Sequence, residues 1–152
     1  MFLDLPEDDG KIVKSIAIKT IFADQIRDRT KTFELRTYSP GVKQNGWCAI
    51  YEPRPAALIQ SVMQIGNTFK LSPDEAWEKY SDYFGIDFDS YFLYFRKREF
   101  AFGMEIKQVR SFTPIPLHEL REDPNFRIPQ MCMTMKSMHK RIHYGIHWAW
   151  TS

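Results

Sequence analysis

The chain has 152 residues, 43% of them apolar, which is enough to bury one hydrophobic core and excludes a largely disordered chain. Lys and Arg number 21 against 19 Asp and Glu, so the net charge is too small for a protein that coats duplex nucleic acid. The two cysteines, Cys48 and Cys132, have no CxxC spacing and no neighbouring ligand pair, which excludes a disulfide scaffold and a structural zinc site.

The first residues and the lengths of the apolar runs indicate the cellular location of the protein. Met1 to Gly10 carries acids rather than a basic region followed by an apolar one, so it has no signal-peptide pattern. No apolar run approaches the roughly 20 residues that span a bilayer. We therefore expect a cytoplasmic protein with reduced thiols, without a membrane partner and without a cofactor or bound metal.

Apolar patterning predicts the secondary structure of the first half of the chain. In order, it predicts a strand, a helix and three further strands, at Lys11–Ile18, Thr20–Arg29, Thr32–Thr37, Trp47–Tyr51 and Ala56–Ile65. The last of these strands is expected to end at Gly66. On the helix, Ile21, Phe22 and Ile26 form the expected apolar side.

The second half begins with a strong helix signal. Ser72 is a good capping residue, Pro73 suits the first helical position, and Glu75 stands three residues after the cap. This pattern predicts a helix that runs to about Tyr83.

The remaining pattern predicts an aromatic helix at Asp87–Phe95, a strand at Phe100–Val109 and then a proline-rich, loop-rich stretch. The last segment, Lys136–Ser152, is basic and aromatic. Three histidines in it recur every four residues and would share one face of a helix: His139, His143 and His147. A metal pair and a docked terminus are the two interpretations of that spacing, and we favour the terminus.

The segment Lys31–Arg36 is the strongest candidate for a functional site. Its alternation predicts a strand with Phe33 and Leu35 on one face and Glu34 and Arg36 on the other. Opposite charges on one strand face indicate either a solvated surface or a group that binds a ligand.

Several motifs occur together in a fixed order: Ser15-Ile16, Lys31 to Arg36, Ile50-Tyr51-Glu52 with Pro55, Ser72 to Tyr80, and Phe100 to Ile106. Over about residues 14–134, this arrangement resembles the ASCH domain family, which has a PUA-like fold. The resemblance implies an α+β protein, a small mixed β-barrel with flanking short helices. We place that domain at residues 14–135, between an N-terminal extension at 1–13 and a basic aromatic C-terminal extension at 136–152.

The resemblance also implies a polar cleft beside the predicted Lys31–Arg36 strand. ASCH proteins are generally regarded as RNA-binding or RNA-processing modules, sometimes associated with transcription coactivation. One branch resembles a hydrolase that removes the acetyl group of N4-acetylcytidine with a Lys, a Thr and a Glu. By position, Lys31 matches that Lys and Glu75 the Glu, whereas Glu34 stands where the branch has its Thr. The hydroxyl nucleophile is therefore missing, and Glu34 would either activate water beside Lys31 or form an ion pair with Lys31 or Arg36.

A binding role assigns different tasks to the same residues. Lys31 and Arg36 would hold a phosphate, and Glu34 would orient them or accept from a base edge. The predicted cleft is extended by four more residues: Ser15, Lys19, Tyr51 and Gln130. Among these, Tyr51 would stack a base, with a half-buried strand tyrosine as the alternative. Ser15 has a turn cap as its alternative.

Three functional hypotheses follow from the sequence. The first is a module that binds RNA, single-stranded nucleic acid, or a nucleoside or nucleotide. The second is a hydrolase acting on RNA or on a modified nucleoside, either N4-acetylcytidine amidohydrolase-like or a ribonuclease, with Lys31, Glu34 and Glu75 as its catalytic residues. The third is an adaptor in transcription regulation whose C-terminal segment, His139 to Trp150, docks on a protein partner.

Overall fold

The computed structural model describes the backbone of residues 2–4 and 13–151 and the side chains of residues 14–146. These residues form eight strands: β1 (Phe2–Asp4), β2 (Val13–Ala17), β3 (Phe33–Arg36), β4 (Trp47–Glu52), β5 (Leu58–Leu71), β6 (Ala101–Pro116), β7 (Met133–Thr134) and β8 (Ser137–His139). They also form a 3-10 turn and five helices: Ser81–Tyr83, α1 (Thr20–Arg27), α2 (Pro73–Tyr80), α3 (Phe88–Tyr94), α4 (Leu117–Leu120) and α5 (Lys140–Thr151). Residues 5–12, which hold most of the predicted N-terminal extension and the start of the first predicted strand, lie outside the described residues.

Six of the strands form one curled, half-barrel sheet in the order β3-β6-β5-β4-β2-β7. Neighbouring strands are antiparallel except β2 and β4, which are parallel; α1 and β3 lie between them in the chain. The predicted α+β class with a small mixed barrel and short helices is confirmed. A separate two-stranded sheet pairs β1 with β8. No helix within the described ranges is both long enough and apolar enough to cross a membrane.

The three helices expected in the first hundred residues are all present. At α2, the Ser72 hydroxyl accepts a hydrogen bond from the Glu75 backbone N–H at 3.2 Å, as the capping pattern predicts. At α3, the Asp87 carboxylate accepts from the Ser90 N–H. Both helices also have acids in their first turn, which suits the positive end of the helix dipole.

Two strands are longer than the pattern predicts. The predicted end of β5 at Gly66 is wrong because the strand continues to Leu71, and β6 continues past the predicted end at Val109. The two strands pair with each other from Leu58 opposite Pro116 to Leu71 opposite Ala101. This pairing supplies backbone hydrogen bonds to segments whose own residues signal a break. Register shifts between Ile59 and Ser61 accommodate the proline-containing end of β6.

Helix α1 packs on the sheet through a face that overlaps only in part with the expected one. Ala23 and Ile26 are fully buried, whereas Ile21 is 64% exposed. The buried face therefore follows Ala23 and Ile26, three residues apart, and Phe22 lies at its edge. As a result, the Ile21 side chain points towards solvent.

The predicted C-terminal extension contributes to the core. Met138, Ile142 and Ile146 are buried in the same cluster as Tyr51 and Val62. The division at residue 135 stays a prediction, but a truncation there would remove buried side chains. The side chains of His147, Trp148 and Trp150 lie outside the described set.

Candidate functional site

A pocket of about 430 Å³ opens where the ends of β2 and β4 approach β3, α1 and α3. Twelve residues line it: Ala17, Ile18, Lys19, Phe22, Lys31, Glu34, Leu35, Arg36, Pro53, Ile86, Ser90 and Tyr94. We call it the Glu34 pocket. Its charged groups are three cations and one carboxylate, and its other walls are mostly apolar.

Lys31 lies at the bottom of a tight connection from α1 to β3. Its backbone N–H donates to the Gln25 carbonyl at 3.0 Å, and its Nζ donates to the Phe84 carbonyl at 2.8 Å. Gly85 follows that carbonyl with a φ of +66°, and a Cβ at this position would lie 3.1 Å from the Lys31 Cβ. Glycine at 85 therefore permits both the left-handed turn and the close approach of Lys31.

The Lys31 amine is almost completely enclosed, with 4% of the residue exposed. Burial lowers the pKa of Lys31 below its ordinary value of 10.5, because the charged ammonium loses hydration. Glu34 acts in the opposite direction and Arg36 adds a smaller lowering contribution to that pKa. The pocket thus contains an amine whose protonated form is held mainly by Glu34 and by the Phe84 carbonyl.

Glu34 is 6% exposed, and its two carboxylate oxygens differ in their surroundings. Oε1 accepts from the Leu35 backbone N–H at 2.9 Å. Oε2 is buried and has no hydrogen-bond donor among the described residues; the nearest charged nitrogen is Arg36 Nη2 at 3.9 Å. That distance is too long for a hydrogen bond. Oε2 is therefore a buried acceptor that no hydrogen-bond donor among the described residues satisfies.

Arg36 closes the opposite side of the charged group. Its Nη2 donates to the Ala17 carbonyl at the end of β2 at 2.7 Å. Its Nε is buried and has no acceptor within the described part of the chain. A donor and an acceptor, Arg36 Nε and Glu34 Oε2, thus remain unsatisfied in neighbouring side chains of one pocket.

The rim of the pocket combines a helix start with an aromatic ring. Lys19 occupies the capping position of α1 but makes no side-chain cap, and the first turn of this helix contains no acid. The backbone N–H groups at such a start favour an anion. Across the pocket, Tyr94 is 45% exposed. Its partial burial raises the pKa of the Tyr94 hydroxyl, which therefore stays protonated.

The structure brings together four of the residues predicted for the site, Lys19, Lys31, Glu34 and Arg36. Four others lie elsewhere. Ser15 is buried within β2, and Tyr51 is 2% exposed in the core against Phe126, so it presents no face to a base. Glu75 is at the surface of α2, with its Oε1 3.6 Å from Lys79 Nζ. Gln130 is exposed and outside the pocket lining.

Sequence reasoning missed the apolar and aromatic half of the lining, namely Phe22, Pro53, Ile86 and Tyr94. Tyr94 belongs to the predicted aromatic helix, and most of its aromatic neighbours are packed in the core. A usable signal was its position next to Phe95. Because Tyr91 and Phe95 are four residues apart and buried, Tyr94 falls at the edge of the buried face.

The described residues contain no group of three or more His, Cys, Asp or Glu side chains able to hold a metal ion. His139 instead faces Glu119, with Nε2 2.6 Å from a carboxylate oxygen, and its Nδ1 accepts from the Arg141 N–H. Burial lowers the pKa of His139. The side chain of His147, the last of the three spaced histidines, is outside the described set.

A curled six-stranded sheet with short helices at its open side defines a PUA-like α+β fold. No protein-family model matches the chain, and no curated protein matches it significantly. Among solved structures, ASCH from Zymomonas mobilis superposes with a TM-score of 0.78 at 22% identity, covering 86% of this chain and 91% of that one.

Two variants of the same Zymomonas mobilis protein agree with this result. A Tyr-to-Phe variant gives a TM-score of 0.78 at 22% identity, over 82% of this chain and 91% of that one. A Ser-to-Ala variant gives 0.78 at 21% identity, over 91% and 96%. The chain therefore has the fold of the ASCH domain, and the fold implied by its motifs is confirmed.

Proposed function

We propose that this ASCH-fold protein binds single-stranded RNA or a modified nucleotide, with a nucleobase in the Glu34 pocket. The observation that carries the proposal is Glu34 Oε2, a buried acceptor to which no described residue donates. Leaving a buried polar group unsatisfied costs about 1–3 kcal/mol, and a ligand N–H would recover that cost. Amino and imino groups on the edge of a base are donors of this kind.

The other walls of the pocket suit the remaining parts of a nucleotide. Tyr94 offers a partly exposed ring beside which a base can stack. Arg36 Nε offers a donor to a carbonyl or ring nitrogen of the same base. Lys19 and the uncapped start of α1 favour a phosphate at the rim. The cations lining the pocket outnumber the single carboxylate, in keeping with an anionic ligand.

The test is binding of fluorescently labelled short single-stranded RNA and of free nucleosides to the wild-type protein and to Glu34→Gln. The substitution keeps the shape of the side chain but removes the charged acceptor. We expect the binding free energy to become less favourable by about 1.5–3 kcal/mol, which raises Kd roughly ten- to a hundredfold. Arg36→Gln is expected to weaken the same ligands.

The matched controls are a carboxylate and an arginine outside the pocket. Glu75→Gln changes an exposed carboxylate on α2, and Arg121→Gln changes an exposed arginine after α4. Both are expected to leave affinity unchanged. Equal binding by wild type, Glu34→Gln and Arg36→Gln, with all three folded, would show that the ligand does not use this pocket.

A hydrolase acting on the same ligand is the second candidate, and Lys31 favours it, because a buried amine with a lowered pKa is common at catalytic centres. The third expected catalytic residue, Glu75, does not line the pocket. We therefore expect binding without product when the protein is incubated with N4-acetylcytidine or short RNAs. If the wild-type protein releases cytidine or RNA fragments and Lys31→Met does not, the protein is a hydrolase and not only a binding module.

The adaptor hypothesis needs a different test from truncation, because Ile142 and Ile146 are core residues. Tyr144 is exposed on the same helix. A protein partner that docks on α5 would be lost on substitution of Tyr144 without loss of the fold.

A further inference from the structure

A second cavity, of about 550 Å³, lies between the C-terminal half of β6 and α5. We call it the β6–α5 groove, and it shares no lining residue with the Glu34 pocket. The residues that carry its chemistry are Arg110, Ser111 and Thr113 on β6, and Arg141, Tyr144 and Gly145 on α5. Nothing in the proposed use of the Glu34 pocket accounts for this groove.

The floor of the groove is set by a close contact at Gly145. A Cβ at this position would lie 2.9 and 3.1 Å from two ring atoms of Phe112 and 3.5 Å from Val62 Cγ2. Glycine thus lets α5 approach the sheet, although it weakens a helix interior by about 1 kcal/mol relative to alanine. Residues on either side of that contact, Arg141 and Tyr144, are held beside β6 as a consequence.

Among the described residues, the charged groups that line the groove are cationic. Arg110 and Arg141 face it from opposite walls, and no acidic residue of the described set is in its lining. Arg141 Nη1 donates to the Pro114 carbonyl at 3.0 Å and lies 3.4 Å from Glu119 Oε2, which fixes the guanidinium against β6. A guanidinium has five N–H donors, so these two contacts do not exhaust it. Lys140, at the start of α5, adds an exposed cation.

Polar and aromatic groups accompany these cations. Tyr144 is 66% exposed, a high value for a tyrosine that lines a cavity. Ser111 and Thr113 are exposed on the facing strand. Cations with hydroxyls bind phosphate oxygens, and an exposed aromatic ring stacks a base of any identity. An acidic protein segment would use the cations but would leave the stacking face of Tyr144 without a matching group.

We infer that the β6–α5 groove is a second RNA-binding surface, which holds phosphates and one stacked base of a single strand. The inference rests on the proposed function, because it extends the ligand from one nucleotide to a strand. Met104, opposite Glu34, and Val109, at the start of the groove, are five residues apart on β6, about 17 Å along a strand. Only an RNA of several nucleotides reaches both places.

The experiment compares a labelled mononucleotide with a labelled RNA dodecamer, by fluorescence anisotropy over a series of salt concentrations. Tyr144→Ala is expected to weaken dodecamer binding about five- to a hundredfold, the usual effect of removing one stacking ring. Arg141→Gln is expected to lower the slope of log affinity against log salt by about 0.7, the value for one phosphate contact on a single strand. Neither variant is expected to change binding of the mononucleotide.

The matched controls are the same two substitutions made at exposed residues outside both cavities. Tyr83→Ala removes a half-exposed tyrosine outside both cavities, and Arg121→Gln removes an exposed arginine outside both. If Tyr144→Ala and Arg141→Gln bind the dodecamer as tightly as the wild type, the groove is not an RNA-binding surface. If Glu34→Gln binds more weakly in the same experiment, the proposed role of the Glu34 pocket is retained. Absence of binding of any RNA to the wild-type protein would overturn both.

Discussion

The two cavities of this molecule use charge in opposite ways. In the Glu34 pocket, the carboxylate of Glu34 and the amine of Lys31 are almost fully buried, and Glu34 Oε2 lacks a hydrogen-bond donor among the described residues. In the β6–α5 groove, Arg141 is partly exposed and already held by protein acceptors, beside an open Tyr144. Two of the charged groups of the pocket, Lys31 and Glu34, are buried, and their hydrogen bonding is incomplete among the described residues; Arg141 and Tyr144 of the groove are accessible to solvent.

This difference suggests separate contributions of the two cavities: one to the selectivity for a ligand and the other to the affinity for it. A buried group that lacks a partner rejects ligands that do not supply one, because the cost of leaving it unpaired is paid in full away from water. Exposed cations gain modest energy from any phosphate and are screened by salt. We therefore expect the pocket to distinguish bases and the groove to add affinity that depends on salt.

The largest expected effect is on a buried ion pair that joins α1 to β4. Arg27 at the end of α1 binds Glu52, which is fully buried, with Nη1 2.9 Å from Oε2, and it also donates to Ser61. Among the described residues, Arg27→Met leaves the Gln60 amide as the only side-chain donor to Glu52. We expect the free energy of unfolding to fall by about 3–5 kcal/mol, measured by denaturant titration.

The control for Arg27→Met is an exposed ion pair. Lys79→Met breaks the contact of Lys79 with Glu75 on α2 and is expected to cost about 1 kcal/mol or less. Equal destabilisation by the two variants would contradict a special role for the buried pair. Adding Glu52→Gln to Arg27→Met should recover part of the loss, because it removes the uncompensated charge.

A smaller effect is expected at the floor of the groove. Gly145→Ala gains helix propensity, but its Cβ would overlap the Phe112 ring and force α5 away from β6. We expect a net destabilisation of about 1 kcal/mol in denaturant titration, together with weaker binding of the RNA dodecamer. A variant more stable than wild type would show that the close contact is not needed to hold α5.

The smallest effect concerns pH and Lys31. Burial lowers the pKa of Lys31 in the folded protein below 10.5, so between the two values the unfolded chain binds more protons. Stability from this group therefore rises with pH across that interval and is lowest on its acidic side. Lys31→Met should remove this rise, as measured by unfolding free energies from neutral to alkaline pH.

The exposed Lys79→Met variant is the reference for Lys31→Met. Its unfolding free energy, compared with wild type over the same pH range, gives the effect of removing an ordinary surface lysine. The same pH dependence in wild type and Lys31→Met would show that the amine is hydrated in solution.

Local signals explain what the sequence predicted well. Helix α2 was predictable because Ser72, Pro73 and Glu75 stabilise the helix start by contacts within one turn. The ASCH-type fold followed from the order of several motifs along the chain, and it is confirmed. In the same way, the alternation around Glu34 and Arg36 was sufficient to place both on β3.

Non-local pairing explains what it could not predict. The lengths of β5 and β6 depend on their mutual pairing, which no single segment encodes. Tyr51 was predicted at the end of a strand, with base stacking and a half-buried side chain as alternatives, but that strand lies inside the sheet, and this buries the ring almost fully. The unsatisfied oxygen of Glu34 depends on the positions of the other elements around the pocket and has no sequence signature. For Tyr94 the helical spacing indicates the edge of the buried face, but the pocket that this edge meets depends on the fold.

The helical segment between β5 and β6 enters and leaves the sheet at neighbouring points. Leu71 and Ala101 are direct partners across the two strands, so residues 72–100 are inserted where a short hairpin turn would suffice. The segment packs its aromatic side chains around Phe84 and Tyr91 against Phe33 and Phe69 of the sheet, and it supplies Tyr94 to the pocket rim. Because its two ends meet, a change in its length would not by itself shift the register of β5 and β6, whereas its aromatic face must still pack on the sheet.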